Sequence, residues 1–148
     1  MKCLDTPLLE DLLMGRPSSR RWMGALKGSA ELATTEVNLF ELTLVALRGP
    51  RRTWTPRLRS LEEVRRALTL LPLDAEASRR AAGILQRGRG AAGGLLPLVV
   101  GVCLAHGVGE LYTTRQRKVP RNVAPLRIVH VGHSNPVSPT KRARTADL

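Results

Sequence analysis

Short apolar segments alternate along the chain with longer segments in which apolar residues recur every three or four positions. The short segments predict strands over residues 2–4, 31–34, 70–73, 110–114 and 126–131, although 70–73 also suits a turn. The longer segments predict helices over residues 6–14, 18–27, 36–47, 61–70 and 75–87. Because the two kinds of element alternate, we expect an α/β fold, a three-layer α/β/α sandwich with a mostly parallel central sheet.

Residues 96–105 are apolar at every position except Gly101, so periodicity does not separate a buried helix from a strand there. The length suits a helix, whereas the three valines in the segment suit a strand. Gly107 and Gly109 end the segment, and glycine-rich residues 88–94 break regular structure before it.

Residues able to cap a helix stand before or at the start of four predicted helices: Thr6, Thr35, Ser60 and Asp74. Pro7 suits the first turn of its helix. Ser60 and Glu63 have the spacing of a capping box, which predicts that a helix opens at residue 61. The basic, proline-containing residues 49–56 before it are expected to form a loop.

Apolar side chains at helical spacing predict which helix faces pack inward. They are Trp22 and Leu26, then Val37, Phe40, Leu44 and Leu47, then Ala77, Ala81, Ile84 and Leu85. Cys3 and Cys103 stand in apolar surroundings without a Cys-x-x-Cys spacing, so we interpret them as core thiols rather than as a disulfide or a zinc site.

The net charge of +12 over 148 residues is unevenly distributed. Residues 1–114 contain 16 Lys/Arg and 11 Asp/Glu, whereas residues 115–148 contain 8 and 1. A basic chain with a strongly basic end indicates a polyanionic partner, most simply nucleic acid. We predict one folded domain over residues 1–131 and a basic, disordered tail over residues 132–148.

The chain shows no pattern typical of membrane insertion. Three acidic residues, Asp5, Glu10 and Asp11, interrupt the apolar start, which argues against a signal peptide. The apolar run over residues 95–105 falls short of the roughly 20 residues that span a bilayer. We therefore expect a cytoplasmic protein.

Asp5 directly follows the first predicted strand. In open α/β sheets, ligands bind outside the carboxyl ends of the strands, and a carboxylate there is well placed to hold a metal ion. The alternative is that Asp5 only caps the helix that begins after it. A phosphotransfer enzyme is disfavoured, because no second Asp follows two residues later and no glycine-rich phosphate loop follows the strand.

An ordered set of motifs resembles the PIN domain of VapC-type toxin ribonucleases over about residues 1–131. The motifs are Asp5-Thr6, Thr34-Thr35-Glu36-Val37-Asn38-Leu39-Phe40-Glu41-Leu42, Leu71-Pro72-Leu73-Asp74, Val99-Val100-Gly101-Val102-Cys103-Leu104-Ala105-His106-Gly107 and Glu110-Leu111-Tyr112-Thr113-Thr114-Arg115. The resemblance implies a metal-dependent endoribonuclease in which acidic residues at one end of the sheet hold Mg²⁺ or Mn²⁺. Asp5 and Glu41 match its first two acidic positions, and are therefore the candidate catalytic and metal-ligating residues.

The resemblance also implies RNA as substrate, a cognate antitoxin protein as partner and a homodimer. This chain departs from the family at the third acidic position, which falls on Leu96 or Pro97, and no Asp or Glu lies between Glu76 and Glu110. The fourth position falls near Gln116, beside Arg115, Arg117 and Lys118. Cations there repel a divalent ion, so we predict weak or absent cleavage. The alternative is a non-catalytic PIN-like protein that binds RNA or an antitoxin.

Several other side chains have two open interpretations. Thr6, Asn38 and Thr114 would lie near the acidic end and position water or phosphate, or would make local backbone bonds. His106 suits the end of a helix better than a catalytic role. Trp54, between arginines, could stack on a base or anchor its loop.

Overall fold

The computed structural model describes residues 1–26, 28, 31–88, 94–115 and 123–131. Gln116, Arg117, Lys118, most of the glycine-rich segment and the whole of the proposed tail lie outside the described residues. The domain boundary at residue 131 therefore stays a prediction.

Five short strands form one sheet, in which every pair of neighbours is parallel. The strands are β1 (Lys2–Leu4), β2 (Leu32–Thr35), β3 (Thr69–Leu71), β4 (Glu110–Thr113) and β5 (Arg127–His130). Their order is β3-β2-β1-β4-β5, so β1 is the central strand, with β2 and β3 on one side and β4 and β5 on the other. The predicted parallel sheet is confirmed, and 70–73 contributes a strand.

Six α-helices and one turn of 3₁₀-helix are described. They are α1 (Thr6–Leu13), α2 (Pro17–Leu26), α3 (Glu36–Ala46), the 3₁₀ turn Arg51–Thr53, α4 (Trp54–Arg66), α5 (Ala75–Arg87) and α6 (Leu96–Ala105). Residues 96–105 are thus a helix, which settles the alternative left open by the sequence. Seven of its ten residues are buried, and the helix packs against both α5 and the sheet.

Two apolar cores lie on opposite faces of the sheet, because successive side chains of a strand point to opposite faces. Cys3 and Leu111 pack with α5 and α6, whereas Leu4 and Tyr112 pack with α1, α2 and α4. The predicted three-layer α/β/α sandwich is confirmed. Both cysteines are free and buried, as expected, and the hydrogen bond with the Cys103 thiol, together with burial, raises the pKa of the Cys3 thiol well above its ordinary value.

Helices α5 and α6 approach closely at Gly101. A Cβ built on Gly101 would lie 2.5 Å from the carbonyl oxygen of Ala77 and 2.8 Å from the Cβ of Ala81. Only glycine allows this contact between the two backbones without a shift. The glycine therefore sets how closely α5 covers α6 in the core that contains Cys103.

One predicted helix start is wrong, whereas α1 begins at Thr6 as predicted and differs only in the residue that caps it. Helix α4 begins at Trp54 rather than at residue 61, because Pro56 is tolerated in a first helical turn and the 3₁₀ turn leads directly into it. Ser60 is therefore an interior residue whose hydroxyl donates to the carbonyl oxygen of Pro56 at 3.2 Å, and no capping box forms there. Asp5, not Thr6, is the N-cap of α1, whereas Thr35 and Asp74 cap their helices as predicted.

Two predicted inward faces are partly wrong. Phe40 is 56% exposed and Leu44 is 48% exposed on α3, and Leu85 is exposed on α5. The apolar residues of α3 are spread around the helix instead of forming one stripe, so their spacing does not identify the buried face. The polar side chain of Asn38 is fully buried instead, because it belongs to the site described below.

No helix in the described ranges is long and apolar enough to cross a membrane.

Candidate functional site at the carboxyl edge of the sheet

Polar side chains end three neighbouring strands at one edge of the sheet. Asp5 follows β1, Thr35 ends β2 and Thr113 ends β4. The register aligns Leu4 with Tyr112 and Cys3 with Ala33, so the next residues of the parallel strands come together at the same edge. The local fold thereby places a carboxylate between two hydroxyls.

The carboxylate of Asp5 is fully buried and accepts several hydrogen bonds. Its Oδ1 accepts from the backbone N–H of Thr6 at 2.8 Å and from Nδ2 of Asn38 at 3.0 Å. Its Oδ2 accepts from the hydroxyl of Thr113 at 2.6 Å and from Nε of Arg115 at 2.8 Å. Asp5 therefore caps α1 and also forms the centre of a polar network. Helix capping does not exclude a place in the site.

Asn38 is held in place by the residue that caps its helix. The backbone N–H of Asn38 donates to Oγ1 of Thr35 at 3.1 Å, and that hydroxyl donates to Oδ1 of Asn38 at 2.7 Å. The side-chain amide then donates to Asp5 and, at 2.9 Å, to Oγ1 of Thr6. The capping box at the start of α3 thus orients an amide toward the buried carboxylate.

Glu41 lies one turn after Asn38 on α3, and its side chain is 19% exposed. Its Oε2 accepts from the hydroxyl of Thr6. Both carboxylate oxygens accept from Nη2 of Arg115, at 3.2 Å for Oε1 and 3.0 Å for Oε2. The structure therefore brings the two predicted acidic residues, Asp5 and Glu41, into one pocket.

Arg115 bridges the two carboxylates. Its backbone N–H donates to Oγ1 of Thr113 at 3.0 Å, and its side chain is 27% exposed. Burial by itself lowers the pKa of Arg115, but the charges of Asp5 and Glu41 and the hydrogen bonds to them outweigh burial and raise it above the ordinary value. The guanidinium is therefore charged at neutral pH, and beside two carboxylates it leaves the pocket with one net negative charge.

Sequence reasoning named Arg115 only as a cation near the site and missed its direct bonds to the acidic residues. It also named Thr114 instead of Thr113. Alternation along β4 was the available signal, because it turns Thr113 toward the pocket beside Asp5, where its side chain is buried. Thr6 and Asn38 do belong to the pocket, and Thr6 bonds Glu41 as well as serving as the first residue of α1.

The donor set does not fit a divalent ion of the kind the resemblance implies. Among the described residues, no three His, Cys, Asp or Glu side chains come together as a metal-binding group. Leu96 and Pro97, at the third acidic position, are buried in the first turn of α6. Hard cations require several oxygen ligands, and here the shared space between two carboxylates is taken by a guanidinium.

Other acidic and histidine side chains have different roles. Glu110 pairs in register with Lys2 and so lies at the opposite edge of the sheet. Asp74 caps α5 through the backbone N–H of Ala77 at 2.8 Å. His106 is the C-cap of α6, as expected, and its Nε2 lies 3.3 Å from a carboxylate oxygen of Asp74. None of them reaches Asp5.

Comparison with known proteins identifies the class of protein that this fold and site define. The family model for the PIN domain matches residues 2–106, and the chain therefore belongs to the PIN domain family. No curated protein sequence matches the chain.

Solved structures of toxin–antitoxin complexes contain chains of the same fold. A chain of VapBC2 from Rickettsia felis bound to a promoter DNA fragment has a TM-score of 0.74 at 13% identity, covering 88% of this chain and 98% of that chain. A chain of DNA-bound VapBC from Salmonella typhimurium has a TM-score of 0.71 at 20% identity, covering 87% of this chain and 96% of that chain. A chain of VapBC-5 from Mycobacterium tuberculosis has a TM-score of 0.64 at 22% identity, covering 88% of this chain and 98% of that chain. These similarities confirm the fold expected from the resemblance.

Proposed function

We propose that this protein is a VapC-type, toxin-like PIN protein descended from metal-dependent endoribonucleases, with RNA cleavage that is weak or lost. Membership of the PIN family and the likeness to chains of VapBC complexes support the first part. Asp5 and Glu41 are the residues to which we assign the ancestral catalytic and Mg²⁺- or Mn²⁺-binding roles. Their meeting at the carboxyl edge of the sheet is consistent with that assignment.

The observation that carries the second part is the double ion pair of Arg115. Both carboxylates already share one fixed cation, and threonine and asparagine side chains donate further hydrogen bonds to them. A carboxylate whose oxygens accept five hydrogen bonds, as those of Asp5 do, has little capacity left to bind an ion or to take a proton from water. We therefore expect little or no metal-dependent cleavage from the wild-type pocket.

A non-catalytic, RNA-binding role is the second candidate, and an arginine-rich segment favours it. Five arginines and no acidic residue occur over residues 48–60, which include the 3₁₀ turn and the first half of α4. The backbone carbonyl of Arg48 accepts from Nη1 of Arg57 at 2.6 Å, and the indole N–H of Trp54 donates to the carbonyl of Gly49 at 3.2 Å. The bond of the indole favours the anchor role of Trp54. The exposed arginines of the segment, Arg48, Arg51, Arg52 and Arg59, present positive charge that suits phosphates.

The partners are proposed on the same basis. We propose a cognate antitoxin, because the similar chains belong to toxin–antitoxin complexes, and a homodimer, because the family resemblance implies one. The exposed Phe40 and Leu44 on α3 provide apolar surface for such a contact. A cytoplasmic location follows from the same proposal.

Cleavage of a labelled RNA pool in Mg²⁺ or Mn²⁺ tests the proposal, with the wild type, Asp5→Ala and the surface variant Arg59→Ala compared side by side. We expect no metal-dependent cleavage above background from folded wild type, and circular dichroism reports the folded state. Cleavage that is present in the wild type and abolished in folded Asp5→Ala would show an efficient nuclease and contradict the proposed loss. RNA retention in a gel-shift assay that falls with Arg59→Ala would support the binding role.

A further inference from the structure

We propose that Arg115 is the resident cation of the Asp5–Glu41 pocket, and that this one side chain is what keeps a divalent ion out. Replacing it with a carboxylate is then sufficient to create a divalent-cation site. The inference rests on the proposed assignment of the pocket, but it concerns ion binding and not RNA cleavage.

The position of one nitrogen carries the inference. Nη2 of Arg115 lies 3.4 Å from Oδ1 of Asp5, 3.2 Å from Oε1 of Glu41 and 3.0 Å from Oε2 of Glu41. A single positively charged group is thus within reach of oxygens from both carboxylates. A divalent ion shared by the two side chains would need the same space.

The guanidinium is also fixed there from its own backbone. The N–H of Arg115 donates to the hydroxyl of Thr113, and that hydroxyl donates to Asp5. Strand β4 therefore delivers the cation and one of the donors to the same carboxylate. Because the Asp5 end of the bridge is fully buried, expelling the guanidinium to admit a solvated ion would break charged hydrogen bonds that water replaces poorly.

Charge arithmetic predicts what a substitution would do. Two carboxylates and one guanidinium carry one net negative charge, which attracts a divalent ion weakly. Arg115→Glu removes the cation and adds a third carboxylate at the same strand end, so the pocket would carry three negative charges. Three carboxylates in one pocket are oxygen ligands of the type that Mn²⁺ and Mg²⁺ prefer, and their mutual repulsion is relieved when an ion binds.

The direct test is binding of Mn²⁺ alone, without RNA, by isothermal titration calorimetry and by the electron paramagnetic resonance signal of free Mn²⁺. The proteins are the wild type, Arg115→Glu, Arg115→Glu combined with Asp5→Asn, and Arg52→Glu. The last is a matched control, because it makes the same change of charge at an exposed arginine of the 3₁₀ turn.

We expect Arg115→Glu to bind Mn²⁺ at least roughly tenfold more tightly than the wild type and Arg52→Glu. Its melting temperature should rise on adding Mn²⁺ and fall on adding a chelator, whereas that of the wild type should not change. Adding Asp5→Asn should remove most of the gain. Equal Mn²⁺ affinity in the wild type and Arg115→Glu, or a gain that survives Asp5→Asn, would overturn the inference.

Arg115→Gln covers the case in which three carboxylates prevent folding. It removes the cation without adding charge repulsion, and it should also bind Mn²⁺ more tightly than the wild type. No gain in either folded variant would show that Arg115 is not the barrier. The RNA-cleavage assay and the Mn²⁺-binding assay have independent outcomes. Cleavage by the wild type would contradict the proposed loss of activity, whatever Mn²⁺ affinity the variants have.

Discussion

The guanidinium of Arg115 donates to the carboxylate of Asp5 at 2.8 Å, although 110 positions separate the two residues along the chain. Asp5 directly follows the central strand β1, and Arg115 follows the adjacent strand β4. The pair forms because parallel neighbours end at the same edge of the sheet. It joins the first segment of the fold to one of the last, so its loss should affect stability as well as chemistry.

Arg115→Met should lower the free energy of unfolding by about 2–4 kcal/mol, because it leaves the buried Asp5 carboxylate without a cation. Methionine keeps an unbranched apolar stem of similar length, so most of the change reports the lost charge. Urea unfolding followed by circular dichroism measures the difference.

Two comparisons make that measurement specific. Arg80→Met removes an exposed ion pair with Glu76 and should cost much less stability than Arg115→Met, because solvent screens that pair. Asp5→Asn in the Arg115→Met background removes the unpaired charge, and should recover part of the loss. A double variant as unstable as the sum of its single changes would show that the two residues are not coupled.

The pKa of Tyr112 is raised from 10.0 to about 12, first by burial and then by its hydrogen bond to Glu110 at 2.7 Å. A raised pKa of this phenol means that the folded protein holds the proton more tightly than the unfolded chain. The stabilisation is complete below pH 10 and is lost as the pH rises toward 12, by roughly 2–3 kcal/mol in total.

Tyr112 is the only tyrosine, so the ultraviolet absorbance of tyrosinate follows this one group. We expect an apparent pKa well above that of free tyrosine in the folded protein and a falling free energy of unfolding over the same pH window. Tyr112→Phe should flatten that part of the stability profile. An ordinary titration in the folded protein would contradict the burial of this phenol.

Gly101→Ala should destabilise the protein by about 2–3 kcal/mol, because the added methyl group meets the backbone of Ala77 and the side chain of Ala81. Gly24→Ala is the matched control on an exposed helix position, where nothing lies within 4 Å of the added carbon. That change should be neutral or stabilising by about 0.5–1 kcal/mol. Thermal unfolding of both variants distinguishes the close helix contact from a general effect of removing glycine.

Cys3 and Cys103 should resist alkylation in the native protein, because both are buried and the pKa of Cys3 is raised. Labelling with a thiol reagent, quantified by mass spectrometry, should add two groups only when the chain unfolds. Rapid labelling of either thiol under native conditions would show that the core formed by β1 and α6 opens readily.

The strands and helices were predicted correctly where the local sequence favours one kind of secondary structure. Alternation of short apolar segments with periodic ones identified the strands and helices, and Thr35 and Asp74 marked helix starts correctly. It failed at α4, where Ser60 and Glu63 have capping spacing but lie inside a helix that begins at Trp54. Residues at capping spacing are able to cap a helix, but they do not by themselves make a helix begin there. In α4 the preceding 3₁₀ turn already starts the helix at Trp54.

For the site, the sequence by itself identified the two candidate carboxylates, Asp5 and Glu41, and showed that no acidic residue stands just before α6. Both points depend on residue identity alone. Only the tertiary structure decided that Thr113 and Arg115 contact Asp5, that Asn38 is buried rather than Phe40, and that Arg115 also contacts Glu41. These contacts join residues far apart along the chain, and no local pattern encodes them. They arise because a parallel sheet collects the ends of its strands at one edge, where charge and hydrogen bonding select the partners.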